Sequence, residues 1–254
     1  MTRTAPENPI IVIPSRLAAT RLPGKPLADI AGEPMIVHVW RRAVAAEVGP
    51  VVVASGDHAI AAAVEKAGGR AVMTDPRHPT GSDRIAEAMV RLDPERHFDV
   101  VINVQGDLPL LDPAAVRVAA FALSDPQIDI ATLAAVITDD EALYDTSVNK
   151  VAAGFPDPAR PARALYFSKS PVLPWGAGPH YEHIGIYAYR REALERFVAL
   201  PQGVLERRER LEQLRALEAG MAISVSLIEP GRLGVQVDTP ADLARARELA
   251  KQTL

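Results

Sequence analysis

IIVIPSRLAATRLPGKPL, residues 10–27, joins two unlike pieces of chain. Ile10-Ile11-Val12-Ile13 is an uncharged β-type run that stops at Pro14. The loop after it carries Arg16, Arg21 and Lys25 around a Pro23-Gly24 turn, and Pro26 bars an immediate helix. A buried strand feeding a stiffened cationic loop suits a phosphate chain, because turn amides and fixed cations can surround an anion without water. The competing reading is a solvated surface loop. Three cations spaced five and four residues apart, directly after the first strand, favour the anion site.

Composition narrows what such a site could serve. A chain of 254 residues is normal for an α/β enzyme, and 48% hydrophobic residues suffice for a large core. Uncharged apolar runs such as 51–55 are far too short to span a bilayer, and the polar start MTRTAPENP lacks an apolar signal core. A soluble, cytoplasmic protein with no membrane partner is therefore expected. The absence of cysteine excludes disulfides, thiol catalysis and cysteine-type zinc sites. A net charge of −4 argues against a broad nucleic-acid surface, so the cations of the loop are a local feature suited to a small anionic ligand.

Outward from the loop, strand and helix alternate. Glu33-Pro34 is expected to open a helix whose apolar face is Met35, Ile36, Val39, Trp40, Ala43 and Val44, with His38 packed among them. Strands are expected at 51–54, 71–73 and 100–104, and helices at 59–67, closed by Gly68-Gly69, and after Gly81-Ser82-Asp83-Arg84, capped by Thr80 or Ser82. Arg84 beside that helix start is a second polar recognition point or simply the partner of a carboxylate. The strand at 100–104 is continuous and apolar like a central parallel strand, and ends in Gln105-Gly106-Asp107. In open α/β sheets the ligand crevice lies beyond the carboxyl ends of the strands. The basic loop, the Gly56 and Gly81 turns and Asp107 all leave such ends.

The second half is less regular. Strands are expected at 128–137, 164–168, 184–190 and 223–228, and helices at 191–200, 206–219 and after Asp112-Pro113. Residues 235–238 read as a short strand before a helix capped at Thr239-Pro240. No repeat or linker interrupts the chain, so a single domain over 1–254 is expected, with 154–161 as a surface excursion.

A nucleoside triphosphate carries more charge than three cations offset, so a divalent metal is expected. Mg²⁺ takes one or two carboxylates with phosphate oxygens and water. Asp107 at a strand end is the first candidate. Asp238 is the second, although its position before a helix more often belongs to a cap unless Thr239 takes that role. No Walker A occurs, since Pro26 follows Gly24-Lys25; neither a G-x-S-x-G elbow nor H-E-x-x-H occurs, and no dinucleotide glycine fingerprint follows the first strand. What remains is phosphoryl or nucleotidyl transfer run by metal, cations and positioning.

The motifs resemble those of the CMP-Kdo synthetases, the 3-deoxy-manno-octulosonate cytidylyltransferases. The resemblance is carried by Pro14-Ser15-Arg16, Thr20-Arg21-Leu22-Pro23-Gly24-Lys25-Pro26-Leu27, Gly81-Ser82-Asp83-Arg84, Val104-Gln105-Gly106-Asp107, His183-Ile184-Gly185-Ile186-Tyr187, Leu211-Glu212-Gln213-Leu214-Arg215 and Val237-Asp238-Thr239-Pro240, in order along nearly the whole chain. The first runs are shared by many nucleotidyltransferases; the His183 and Leu211 runs are more specific. The resemblance implies an α/β, Rossmann-like nucleotidyltransferase fold, with a largely parallel mixed sheet flanked by helices. It also implies a homodimer, for which the stretch 154–200 is the expected contact region. The implied reaction is CTP + Kdo → CMP-Kdo + diphosphate, a cytoplasmic step of lipopolysaccharide synthesis. Carried over by residue, Pro14, Ser15, Arg16, Arg21, Lys25, Ser82, Arg84 and Gln105 would bind the nucleotide, with Arg21, Lys25 and Asp107 catalytic. Asp107 and Asp238 would hold Mg²⁺, and Gln105, His183, Tyr187, Glu212 and Gln213 would line the sugar pocket.

Three positions depart from the family pattern. Ser15 stands where Ala is usual, Leu108-Pro109 follows Gln-Gly-Asp in place of Glu-Pro, and Gly234-Val235-Gln236-Val237-Asp238 stands where Gly-Val-Asp is common. Alternatives left open are CMP-activation of a related acid sugar, such as an 8-amino Kdo analogue or a sialic-type acid, and a non-catalytic nucleotide-binding regulator. A sugar-1-phosphate nucleotidyltransferase is disfavoured by the His183–Tyr187 motif.

Overall fold

The computed structural model describes residues 7–18, 21–170, 176–232 and 234–253. Residues 1–6, Thr20 and, within the 154–200 stretch, residues 171–175 lie outside these. The described chain forms two compact units: Asn8–Arg117 with Gly231–Leu254, and Val118–Pro230.

The first unit begins with β1 (Pro9–Ser15), a 3-10 turn (Lys25–Leu27) and a short hairpin of β2 (Asp29–Ile30) and β3 (Glu33–Pro34). Then follow α1 (Met35–Val44), β4 (Val51–Ser55), α2 (His58–Lys66), β5 (Arg70–Met73), α3 (Gly81–Leu92), β6 (Val100–Asn103) and α4 (Pro113–Phe121), whose residues divide between the two units after Arg117. In the first unit β5, β4, β1 and β6 lie in that order and are parallel, while β2 and β3 pair antiparallel apart from them. Ile10, Ile11, Val12 and Ile13 are at most 2% exposed; burying each such side chain contributes ~1.5–3 kcal/mol. The chain moves outward from β1 to β5, then returns to place β6 on β1's other side. That reversal opens a crevice at the carboxyl ends of β1 and β6.

Several boundaries differ from the sequence reading for local reasons. β1 continues through Pro14 to Ser15. Regular pairing with β6 ends at Val12↔Asn103, and Val12 O still accepts from Val104 N, so the N–H that Pro14 lacks falls past the paired stretch. Pro26 does not exclude helical geometry; it sits at the second position of the 3-10 turn, where the amide has no intrahelical partner to lose. Helix α1 starts at Met35 instead of Glu33, because Glu33 and Pro34 pair with Ile30 and Asp29, and Glu33 instead bridges to Arg41. On α1, Met35, Ile36, Val39 and Ala43 are buried as expected, while Val44 is 45% exposed. His38 is buried and its Nε2 donates to Ile30 O at 2.7 Å, a packed histidine.

The second unit comprises β7 (Ile130–Val136), α5 (Asp140–Tyr144), β8 (Lys150–Ala153), β9 (Ala162–Ser168), β10 (Tyr181–Arg190), α6 (Arg191–Ala199), α7 (Val204–Glu209), α8 (Gln213–Glu218) and β11 (Ile223–Ile228). Its strands follow the order β10-β7-β11-β9-β8; β7 and β11 are parallel, and the other pairs are antiparallel. The sequence reading missed α5 and β8. Residues 154–161 connect β8 to β9 as a hairpin loop.

The single helix expected at 206–219 is two. Arg210 adopts a left-handed conformation (φ 57°), and α8 folds back on α7. Arg215 Nε and Nη2 reach Glu206 at 2.9 and 2.6 Å, and the guanidinium lies 5.2 Å from the centre of the Phe197 ring. On one straight helix, residues nine apart face opposite sides, so the pair itself requires the break. Glu218, at the end of α8, accepts from the Val204 and Leu205 amides at the start of α7.

The chain ends in the first unit. The expected strand at 235–238 is irregular backbone, yet it is fixed: Val237 N donates to Asp107 O at 2.9 Å, and Asp112 N donates to Arg232 O at 2.8 Å. Gly234 is left-handed (φ 66°), and a Cβ there would stand 2.8 Å from Leu110, so only glycine fits this turn. Helix α9 (Pro240–Thr253) follows, and Val237 with Leu243, Ala246 and Ala250 packs against Ile30 and Met35.

Replacing Arg215 by Ala leaves Glu206 buried without its counter-charge. The expected loss is roughly 3–5 kcal/mol of stability in urea unfolding; a loss near zero would show that this pair does not hold the second unit together.

Candidate active site

At the carboxyl ends of β1 and β6 lies a cavity of about 370 Å³ within the first unit. Its lining includes Pro14, Ser15, Arg16, Arg21, Lys25, Arg84, Gln105, Asp107 and Asp238. Nearly every nucleotide and metal candidate of that unit is thus brought together. Ser82 is the exception: it is buried in the first turn of α3 and is not part of the lining.

The basic loop is held from below. Asp57 Oδ2 accepts the Leu17 amide at 2.8 Å, and Gly56 N donates to Ser15 O at 3.3 Å. The turn amides are consumed inside the loop, Gly24 N on Leu17 O and Lys25 N on Leu22 O. Anion binding by those two amides, expected from the sequence, therefore gives way to the side-chain cations. Gly106 lets the two rims meet, since a Cβ there would lie 2.9 Å from Pro14 O.

Lys25 is the centre of the charge network. Its Nζ donates to Asp107 Oδ2 at 2.9 Å and to Asp238 Oδ1 at 3.1 Å, and Arg21 Nη2 lies 3.2 Å from the same Asp238 oxygen. Burial opposes the Lys25 charge, but the two carboxylates outweigh it and hold its pKa above the ordinary lysine value. Burial pushes the Asp107 carboxyl up, offset in part by Lys25. Among the described residues, Asp107 Oδ1 is buried without a hydrogen-bond partner. Asp238 is not the helix cap. Thr239 Oγ1 accepts from Asp242 N at 3.3 Å, while Asp242 Oδ2 accepts from Thr239 N and Asp238 N, leaving the Asp238 carboxylate for the cavity. Its second oxygen accepts from Gln236 Nε2 at 3.3 Å.

Arg84 is 2% exposed and donates to Thr74 Oγ1 at 2.6 Å and Pro76 O at 3.5 Å. No carboxylate is among its hydrogen-bond partners in the described residues, so the simple ion-pair reading fails. The sequence reading missed His78 and Thr80 as cavity lining. Thr80 was read only as a cap, which it is, accepting from Asp83 N. His78 had no local signal: its carbonyl accepts from Arg16 Nη1 at 3.3 Å and its Nε2 meets Glu87 at 2.5 Å, both longer-range contacts.

The chain as a whole has relatives among known proteins. The Cytidylyltransferase family profile matches residues 10–223. The 3-deoxy-manno-octulosonate cytidylyltransferase of Methylorubrum populi is 63% identical over 95% of this chain and 96% of its own length. That of Paramagnetospirillum magneticum is 60% identical over 96% and 98%. The chain belongs to the 3-deoxy-manno-octulosonate cytidylyltransferase family. A solved CMP:2-keto-3-deoxy-manno-octonic acid synthetase complexed with CTP matches this cytidylyltransferase with a TM-score of 0.89 at 39% identity, covering 98% of this chain and 100% of that one.

The remaining candidates of this cytidylyltransferase sit in its second unit. His183 and Tyr187 flank an irregularity in β10 and are buried, their rings 5.5 Å apart, with Phe167 4.8 Å from His183. Thr132 Oγ1 gives its one proton to Ile184 O or Ile186 O, and so accepts from His183 Nε2–H at 3.0 Å. Glu212 and Gln213 lie at the start of α8, and among the described residues Gln213 Nε2 is buried without a hydrogen-bond partner.

Burial pulls the His183 pKa from 6.5 down to about 3. The unfolded chain therefore binds a proton in that window that the folded chain does not, and this residue's contribution to stability falls as pH drops from about 6.5 towards 3. An NMR titration should show the His183 ring unchanged between about pH 8 and pH 5. A midpoint near the free-imidazole value would contradict its neutral, packed state.

Proposed function

We propose that the chain transfers the cytidylyl group of CTP to the 2-hydroxyl of Kdo, giving CMP-Kdo and diphosphate for lipopolysaccharide synthesis. The observation that carries the reading is the convergence of Arg16, Arg21 and Lys25 with the carboxylates of Asp107 and Asp238 in one cavity, in a chain about 60% identical to enzymes of that name. The O2–Pα bond forms as the bond from Pα to the diphosphate oxygen breaks, and the hydroxyl proton passes to solvent water.

Arg16, Arg21 and Lys25 bind the triphosphate and offset charge growing on the leaving diphosphate. Pro14, Ser15, Arg84 and Gln105 orient the nucleoside end, so that the α-phosphate is presented in line. Asp107 and Asp238 would hold Mg²⁺; the buried, unpartnered Asp107 Oδ1 fits this, as does a hard cation's need for one or two carboxylates beside phosphate oxygens. When bound, the ion supplies Lewis-acid polarisation and charge neutralisation.

In the second unit, sugar recognition is proposed for His183, Tyr187, Glu212 and Gln213. His183, neutral and fixed by Thr132, serves there as a shaped surface rather than a charge. We further propose a cytoplasmic homodimer using the 154–200 region. Within that region Leu165 of β9 is 71% exposed. Among the described residues no helix is long and apolar enough to cross a membrane.

Diphosphate release with CTP and a panel of acid sugars tests the acceptor: Kdo should support turnover, and CTP binding with no sugar turned over would sink the enzymatic reading. Asp107→Ala should lower turnover roughly a hundredfold or more, because a bound divalent ion contributes several kcal/mol to such a transition state. CTP affinity should fall far less; an unchanged rate would remove Asp107 from the metal site.

A further inference from the structure

Lys25 and a divalent ion compete for the same atoms. The ammonium contacts Asp107 Oδ2 and Asp238 Oδ1 together, and Arg21 adds a second cation on Asp238. Two negative charges are thereby matched by two positive ones inside a partly enclosed cavity. Lys25 and Asp107 have side-chain exposures of only 14% and 18%, so solvent screens the arrangement weakly. A divalent ion that takes Asp107 Oδ2 or Asp238 Oδ1 must displace the ammonium from that oxygen, and the displaced ammonium then needs another anion.

We infer that Lys25 couples metal binding to nucleotide binding: its ammonium holds the carboxylate oxygens that a divalent ion requires, and a triphosphate releases them by drawing the ammonium away. The inference rests on the cytidylyltransferase reading, and deepens it by giving one residue two alternating partners. Lys25 lines the same cavity as Arg16 and Arg84, so an anion bound there lies within the field of all three cations. Once Lys25 turns to phosphate, Asp107 Oδ2 joins the already unpartnered Oδ1 in being free for a metal. Linkage then works both ways, with the metal raising nucleotide affinity by the factor by which the nucleotide raises metal affinity. A metal without a nucleotide is held off, which restricts the bound ion to the state in which a phosphoryl group is present.

The test is Mn²⁺ binding to the full chain without nucleotide, read by electron paramagnetic resonance of free Mn²⁺. Lys25→Met keeps an apolar stem of similar length and removes the charge. It should bind Mn²⁺ more tightly than the unaltered chain, by roughly tenfold or more, whereas Lys25→Arg, which keeps the charge, should not. Thermal unfolding of each variant establishes that it is folded. Lys25→Met binding Mn²⁺ no more tightly than the unaltered chain, while Asp107→Asn weakens Mn²⁺ binding in both backgrounds, would overturn the coupling and leave the metal site intact. Mn²⁺ binding indifferent to Asp107→Asn in every background would overturn the metal reading itself.

Discussion

Two carboxylates pressed together in a partly buried cavity repel one another, and desolvation penalises each. The Lys25 ammonium makes their meeting tolerable. It holds Asp107 from 82 residues away and Asp238 from 213 residues away. Much of the first unit can be understood as the means of bringing these three groups to one point. β1 and β6 lie side by side and release the cationic loop and the Gln-Gly-Asp turn at the same end. The third participant arrives on irregular backbone, so its position depends on individual hydrogen bonds instead of a ladder. Val237 N on Asp107 O sets the height of the segment, and the Asp242 cap frees the Asp238 side chain.

The loop that reads as an anion cradle proves to be a cation holder with a closed backbone. Its turn amides are spent on Leu17 and Leu22, which ties the Lys25 turn to the chain before it. Lys25 is thereby placed before a ligand arrives, and preorganisation of this kind is what electrostatic catalysis depends on. The second unit solves a different problem. Its buried Glu206–Arg215 pair forces a sharp return between two short helices and so places Glu212 and Gln213 at a helix start.

The strands of the first unit were legible because uninterrupted apolar runs such as Val51-Val52-Val53-Ala54 have little alternative in a parallel sheet. The site was legible in its cations and in Asp107, which all leave strand ends. Asp238 was legible only as a choice between ligand and cap; deciding it needed the Thr239–Asp242 contacts, whose geometry a linear pattern does not encode. The helix break at Arg210 was invisible for a similar reason. Residues 206–219 have helical composition throughout, and the break follows from a tertiary ion pair that overrides local preference. His78 was missed because its placement comes from Glu87 and Arg16, neither of them adjacent in sequence.

The late return of the chain has a consequence during synthesis. Lys25 and Asp238 are separated by 213 residues, and at ribosomal speeds of roughly 5–20 residues per second that gap lasts on the order of ten seconds or more. For the first 82 residues of it the nascent chain carries a cationic loop with neither acidic partner, and after that with only Asp107. It also carries Ile30 and Met35 without Val237 and α9, the residues that later cover them. The first unit is therefore a domain whose opening segments must wait, partly uncovered, for its closing ones. Its vulnerable period falls before the last helix is made, when a holdase that shields apolar surface would matter most.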